Sequence, residues 1–252
     1  MHTAEYPEYV ARFYDLIYDS IRSGIDNEYF MNKISESKGP VLEIGVGTGR
    51  FYVEALNKGS DIYGIDISKS MIDILLSKID KKYHKRISLQ NATDYKFDRK
   101  FDLIIGPFRI FSHLIEVEDQ IKALNNIYDH LSEDGIFIFD LFVPNLKMLI
   151  EGLHDHTDFE GEYENGKKFK RIVSMESDQI NQINHVKMKF VWDNNGVEQS
   201  KEWSFPFRIF HRYEIEHLIK LSKLKLINIF GDYKENKLQT NSKEFIIVCR
   251  KA

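Results

Sequence analysis

Three glycines at alternate positions, Gly45, Gly47 and Gly49, follow a short apolar run, Val41-Leu42-Glu43-Ile44, that carries one carboxylate. Glycine adopts positive φ freely and leaves space against the main chain, so this spacing suits a nucleotide-binding turn between a strand and a helix. A dinucleotide fingerprint needs glycine at its first, third and sixth positions. Counted from Gly45 the sixth residue is Arg50, and counted from Gly47 it is Tyr52, so that reading fails. Three further groups could do chemistry: Asp66, the pair Asn91 and Ala92, and the run Phe108-Arg109-Ile110-Phe111-Ser112-His113. A histidine there could act as a base, and an arginine could grip an acidic group.

Each of these residues falls at the end of an element that would place it. The pattern reads as helical segments over 5–23 and 27–37, then strand 41–45, helix 49–58, strand 61–66, helix 69–79, strands 87–91 and 101–106, helix 117–131 and strand 136–142. Strands separated by helical crossovers imply a parallel sheet wound on both faces. After Pro144 the period changes to two: 185–193 alternates apolar and polar residues, Asn194-Asn195-Gly196 signals a turn, and 201–210 runs back, with 170–175 as a further strand. An antiparallel sheet of about three strands is therefore expected as an insertion, 151–210. A helix at 213–224 and strands at 226–231 and 244–249 complete the core. One domain spans 1–252, with N-terminal helices in 1–37 and the core in 38–150 and 211–252.

The run Glu43-x-Gly45-x-Gly47-x-Gly49 resembles the first motif of the class I methyltransferases that use S-adenosylmethionine, and the later elements follow in that family's order across 38–142. The resemblance implies a Rossmann-like seven-stranded sheet whose last strand is antiparallel. It implies that Glu43 holds the turn and the cofactor's amino group, with Gly45, Gly47 and Gly49 facing the methionine moiety. Asp66, with Ile67 beside it, would accept from the ribose hydroxyls, which a carboxylate can do for both at once. Asn91 and Ala92 would meet the adenine, and Phe108 the sulfonium side. Asp66 has an alternative role as the N-cap of the next helix, and Asp94 could replace Asn91. Tyr14 and Tyr18 ahead of the core, and the run Arg208 to Glu214 behind the inserted strands, look like the bacterial small-molecule methyltransferases that include amino-sugar N,N-dimethyltransferases. There the second tyrosine, Tyr18 here, reaches the cofactor's carboxylate; the alternative is an aromatic core contact. Tyr14 and Arg109 are then candidates to contact the acceptor, and His113 to serve as base, although the same run could be a plain turn at the sheet edge. The inserted sheet would close over the site as a lid and select a small substrate.

Charge and composition exclude other classes. With 35 basic and 39 acidic residues the net charge is −4, no footprint for nucleic acid, and the run Lys81–Arg86 reads as a solvated connection. A single cysteine, Cys249, forbids a disulfide framework and points to a reducing, cytoplasmic location. No apolar stretch reaches the roughly 18 residues of a membrane span, and no signal peptide is legible. His154-Asp155-His156-x-Asp158 has metal-ligand chemistry but reads as a solvated connection, so no metal is expected. The run Ile105-Gly106-Pro107-Phe108 lacks the acceptor side chain that nucleobase amino methyltransferases carry at that place. Glu214 and Asp140 could line a pocket or cap helices. The expectation is a cytoplasmic enzyme that uses S-adenosylmethionine to methylate a small-molecule acceptor, nitrogen ahead of oxygen, with no nucleic-acid or membrane partner and a homodimer allowed. The rivals are an RNA or protein methyltransferase and a non-catalytic cofactor-binding module.

Overall fold

Every residue of β1 (Val41–Ile44) is buried, which a strand achieves only when helices cover both faces of its sheet. In the computed structural model of the protein, which describes residues 5–21 and 24–251, β1 lies inside a seven-stranded sheet. The chain runs α1 (Glu8–Ile21), α2 (Ile25–Glu36), β1, α3 (Arg50–Asn57), β2 (Ile62–Asp66), α4 (Lys69–Lys78), β3 (Ile87–Leu89), β4 (Phe101–Gly106), α5 (Val117–His130) and β5 (Leu131–Phe142). After α6 (Leu146–Glu151) come β6 (Leu153–Tyr163), β7 (Lys167–Asp178), β8 (Ile183–Asn194) and β9 (Val197–Arg208), then α7 (Arg212–Leu221), β10 (Leu224–Phe230) and β11 (Glu244–Lys251). The large sheet has the order β10-β11-β5-β4-β1-β2-β3. Its first five strands in the chain pair in parallel, and β11 lies antiparallel between β5 and β10. This is the doubly wound sheet expected, with its last strand reversed.

The continuous apolar runs are explained by two cores. Ile104, Phe137, Phe139 and Ile247 face α5 and α7, while their neighbours Leu103, Ile105, Ile138 and Ile246 face α2, α3 and α4. Alternation of side chains along a strand sends successive residues to opposite faces, so both must be apolar.

The second sheet, β6-β7-β8-β9, is antiparallel throughout. It has four strands, not three. Strand β6 escaped the period-two pattern because register shifts fall between Leu153 and His156 and again between Thr157 and Phe159. His154, Asp155 and His156 therefore lie on an edge strand rather than in a loop connection. Other boundaries moved too. The regular register of β5 with β4 begins at Ile136 as expected, but the strand starts at Leu131; α7 stops at Leu221; α6 was not foreseen. Helix α1 ends its described course at Ile21, and the expected extension to 22–23 lies outside the described residues.

Helix α1 connects the two sheets. Its Phe13 ring stacks on Phe169 of β7 at 4.2 Å and meets Tyr163 edge-on at 5.1 Å, and Val10 and Ile17 join the same core. On its other side Asp15 Oδ1 accepts from Thr48 Oγ1 at 2.6 Å, and Lys78 Nζ bridges Asp15 Oδ2 and the Thr48 carbonyl. Ser68 Oγ donates to the Tyr6 carbonyl at 3.2 Å. The helix is thus strapped to both polar turns that follow β1 and β2. Among the described residues no helix is long and apolar enough to cross a membrane.

Candidate active site

The turn after β1 needs its glycines for different reasons. Gly45, Gly47 and Gly49 have φ of 72°, 54° and 89°, all in the region that disfavours a side chain. A Cβ on Gly45 would stand 2.5 Å from Ile110 Cδ1, and one on Gly49 would stand 2.3 Å from Leu75 Cδ1. These two glycines let the turn pack on the protein. A Cβ on Gly47 would meet nothing closer than the Gly45 carbonyl oxygen at 3.9 Å, so Gly47 faces open space.

Asp66, at the end of β2, braces that turn. Its Oδ2 accepts from the Gly47 amide at 2.8 Å and its Oδ1 from the Ser68 amide at 2.7 Å, next to Ile67. A carboxylate has about four acceptor positions, so both oxygens keep capacity for a ligand's hydroxyls. Burial raises its carboxyl above the usual range, against the pull of the backbone amides. The N-cap of α4 is Ser68, which accepts from Met71 N, so capping is not Asp66's part. Glu43 is 1% exposed and its Oε2 has no hydrogen-bond partner. Burial pushes its carboxyl well above the usual range, and the cation that opposes this, Arg50, is tied to Asp26 at 2.5 Å. An unpaired buried acceptor is costly, so this oxygen suits a donor from a ligand. At the end of β3, Asn91 Oδ1 accepts from the Thr93 amide and hydroxyl, both at 3.1 Å, and the Ala92 carbonyl accepts from Asn126.

A cavity of about 940 Å³ opens between α1, the turn after β4 and the inserted sheet. Tyr14, Tyr18 and Phe108 line one part, and Met188, Trp203 and Phe207 of the sheet another. Phe108 and Arg109 both hold left-handed conformations, φ 62° and 58°, which bend the chain sharply as β4 ends. The Tyr18 ring sits edge-on to Phe108 at 5.1 Å and tilts against Tyr14 at 4.4 Å.

Two charged groups at the cavity, Arg109 and Arg171, are placed otherwise than the sequence suggested, and Glu214 takes the capping one of its two readings. Arg109, expected to grip a substrate acid, is ion-paired at the cavity wall: Nη2 donates to Glu244 Oε1 at 2.6 Å, and Nε lies 3.5 Å from Asp140 Oδ2. Asp140 also accepts from the Tyr233 hydroxyl at 2.9 Å. Glu214 closes a capping box at the start of α7 and holds Arg208 at 2.9 Å. Arg171 of β7, which the sequence placed on a strand without a role, is buried beside Tyr18 and Asp158. Tyr18 lies 153 residues away, and Asp158 sits on the neighbouring strand β6, whose bulges hid it from the sequence pattern. Among the described residues no group of three or more His, Cys, Asp or Glu could hold a metal ion, and Asp158 is paired with Arg171.

His113 ends a 3-10 turn, Ile110–His113, and is enclosed by Tyr6, Phe205 and Phe207 at ring distances of 6.0, 5.7 and 5.1 Å. Its Nε2 is 3.4 Å from the Tyr6 hydroxyl and its Nδ1 is buried without a partner. Burial pushes its pKa down to about 4. The fold thus accommodates the neutral ring. Between the unfolded value near 6.5 and the folded value of about 4, the unfolded chain binds a proton that the folded chain refuses. The contribution is whole above pH ~6.5 and is lost as pH falls toward the folded value, by up to about 3 kcal/mol. His113→Gln should flatten the loss of unfolding free energy between about pH 7 and 4.5 in urea titrations. Equal slopes in both proteins would mean that the ring is solvated.

A family model described as a methyltransferase domain matches residues 41–135, the stretch from β1 into β5. YqeM of Bacillus subtilis, a proposed methyltransferase, is 22% identical over 240 residues, covering 94% of this chain and 95% of that protein. A glycine/sarcosine N-methyltransferase of Halorhodospira halochloris is 23% identical over 257 residues, covering 99% of this chain and 90% of the relative. The sugar N-methyltransferase KedS8 from a Streptoalloteichus species shares the fold with a TM-score of 0.72 at 15% identity, over 95% of this chain and 93% of that one.

Proposed function

We propose that the chain, an S-adenosylmethionine-dependent methyltransferase, methylates the nitrogen of a small molecule held between α1 and the inserted sheet. The observation that carries this reading is the cavity of about 940 Å³, in which Tyr14, Tyr18 and Phe108 share walls with the underside of the four-stranded sheet. A concave, largely apolar site of this size suits a small acceptor better than a bulky polymer. Two of the relatives reported above have names that specify an acceptor atom, and both are N-methyltransferases, one of glycine and sarcosine and one of a sugar.

The residues around the glycine turn fit the cofactor. The unpartnered Glu43 Oε2 suits its amino group, the open face of Gly47 its methionine chain, and Asp66 its ribose hydroxyls. Gly45 and Gly49 shape the turn, Asn91 and Ala92 would border the adenine, and Tyr18 would meet the carboxylate. The bound cofactor supplies a methyl group on a sulfonium, ready for displacement in line. Collinear placement alone can supply roughly 7–11 kcal/mol of a barrier. Tyr14 and Phe108 confine the acceptor's approach.

Nitrogen is favoured over oxygen because an alcohol needs a base, and His113, with a pKa of about 4 and a closed Nδ1, is a poor one. An amine needs only its lone pair.

The test is turnover of labelled cofactor with a panel of amino sugars and small amino acids, and mass-spectrometric location of the methyl group. N-methyl products are expected, with kcat in His113→Ala within about tenfold of wild type and a pH profile that follows the acceptor's amine. Methyl ethers, or a 10³-fold loss in His113→Ala at unchanged cofactor affinity, would overturn the nitrogen reading. Turnover confined to RNA or protein would overturn the small-molecule reading.

A further inference from the structure

Arg171 belongs to the inserted sheet, yet the residue is only 3% exposed and its guanidinium reaches a tyrosine of α1. Burying such an ion costs several kcal/mol unless it is paired and hydrogen-bonded. Asp158 of the adjacent strand β6 supplies the pair in bidentate form: Nε donates to Oδ1 at 2.9 Å and Nη2 to Oδ2 at 2.6 Å. Together those two bonds already satisfy the charge. They do not require the third, in which Nη1 donates to the Tyr18 hydroxyl at 3.1 Å across a chain separation of 153 residues. The Arg171 Cζ also lies 5.0 Å from the centre of the Tyr18 ring.

The guanidinium is a rigid planar fork, so fixing two of its N–H groups on Asp158 fixes where the third points. Tyr18 is thereby held by its hydroxyl from the sheet and by its ring between Tyr14 and Phe108. A phenol that accepts from a cation in a dry setting is also a stronger donor of its own proton. Arg171, Asp158 and Tyr18 all line the cavity, so the clamp joins the inserted sheet to α1 across it.

We propose that Arg171 is a positioning residue through which the inserted sheet sets affinity for the carboxylate end of the cofactor: clamped by Asp158, it holds the Tyr18 hydroxyl as the donor to that carboxylate. This rests on the reading of Tyr18 as a cofactor residue, and the two can fail separately.

Calorimetry on the full chain, with S-adenosylmethionine and with 5′-methylthioadenosine, which lacks the amino-acid end, separates them. Arg171→Met should weaken S-adenosylmethionine by roughly tenfold and leave 5′-methylthioadenosine within about twofold. Arg171→Lys, which keeps the charge without the fork, should recover only part of the loss. Tyr18→Phe should weaken S-adenosylmethionine to a similar extent, and adding Arg171→Met to it should cost less than about twofold more. Additive losses, or equal losses for both ligands, would overturn the proposal, as would unchanged affinity in Arg171→Met beside a weakened Tyr18→Phe. Unchanged affinity in Tyr18→Phe would instead remove Tyr18 from the cofactor site and take the proposal with it. Should Arg171→Met not fold, Asp158→Asn, which loosens the clamp and keeps the cation, must show the same selective loss; its absence would sink the idea.

Discussion

Gly47→Val will raise the dissociation constant for S-adenosylmethionine by at least about 100-fold while the protein stays folded. The backbone at residue 47 holds φ 54°, and a branched side chain there is strained by about 1–3 kcal/mol, a cost that a domain of this size survives. The larger effect comes from space. The direction of the missing Cβ is open to 3.9 Å, so the valine methyls would stand in the cradle rather than against protein. Gly49→Ala is the contrast: its Cβ would press on Leu75 Cδ1 at 2.3 Å, so it should lower thermal stability before it touches affinity. Calorimetry together with thermal melts reads both. Wild-type affinity in Gly47→Val would move the ligand off this turn.

Asp66→Ala should weaken the same ligand by roughly 10- to 150-fold, the equivalent of about 1.5–3 kcal/mol for hydrogen bonds to a charged group. The loss has two sources. The carboxylate stops bracing the Gly47 amide and the Ser68 amide, and it no longer offers acceptors to the ribose. Because burial raises the Asp66 carboxyl above its usual range, protonation begins at a higher pH than for an exposed aspartate. Affinity in the wild type should therefore fall as the solution is acidified through that raised value, and Asp66→Ala should lack this fall. Equal calorimetric affinity in variant and wild type would remove Asp66 from the site.

The amino-acid sequence by itself determined the parts that depend on local chain chemistry. Alternation of apolar strands with amphipathic helices specified the wound sheet, since each strand must bury both faces and each crossover one. The glycine spacing and the acid that ends β2 located the turn within a residue, because a positive φ and a strand terminus are properties of short segments. Strand β6 was lost for the complementary reason: its bulges break the period on which a strand is recognised. The tertiary structure decided which charges are free. Arg109 looked available until folding set it against Glu244, 135 residues away, and His113 looked titratable until Tyr6, Phe205 and Phe207 closed around it. Arg171 acquired a role only because β6 brought Asp158 and α1 brought Tyr18 to the same place. Burial and ion pairing are set by segments remote in the chain, and in a low-dielectric interior the partner, more than the residue type, decides whether a group binds a ligand, moves a proton or holds a neighbour in place.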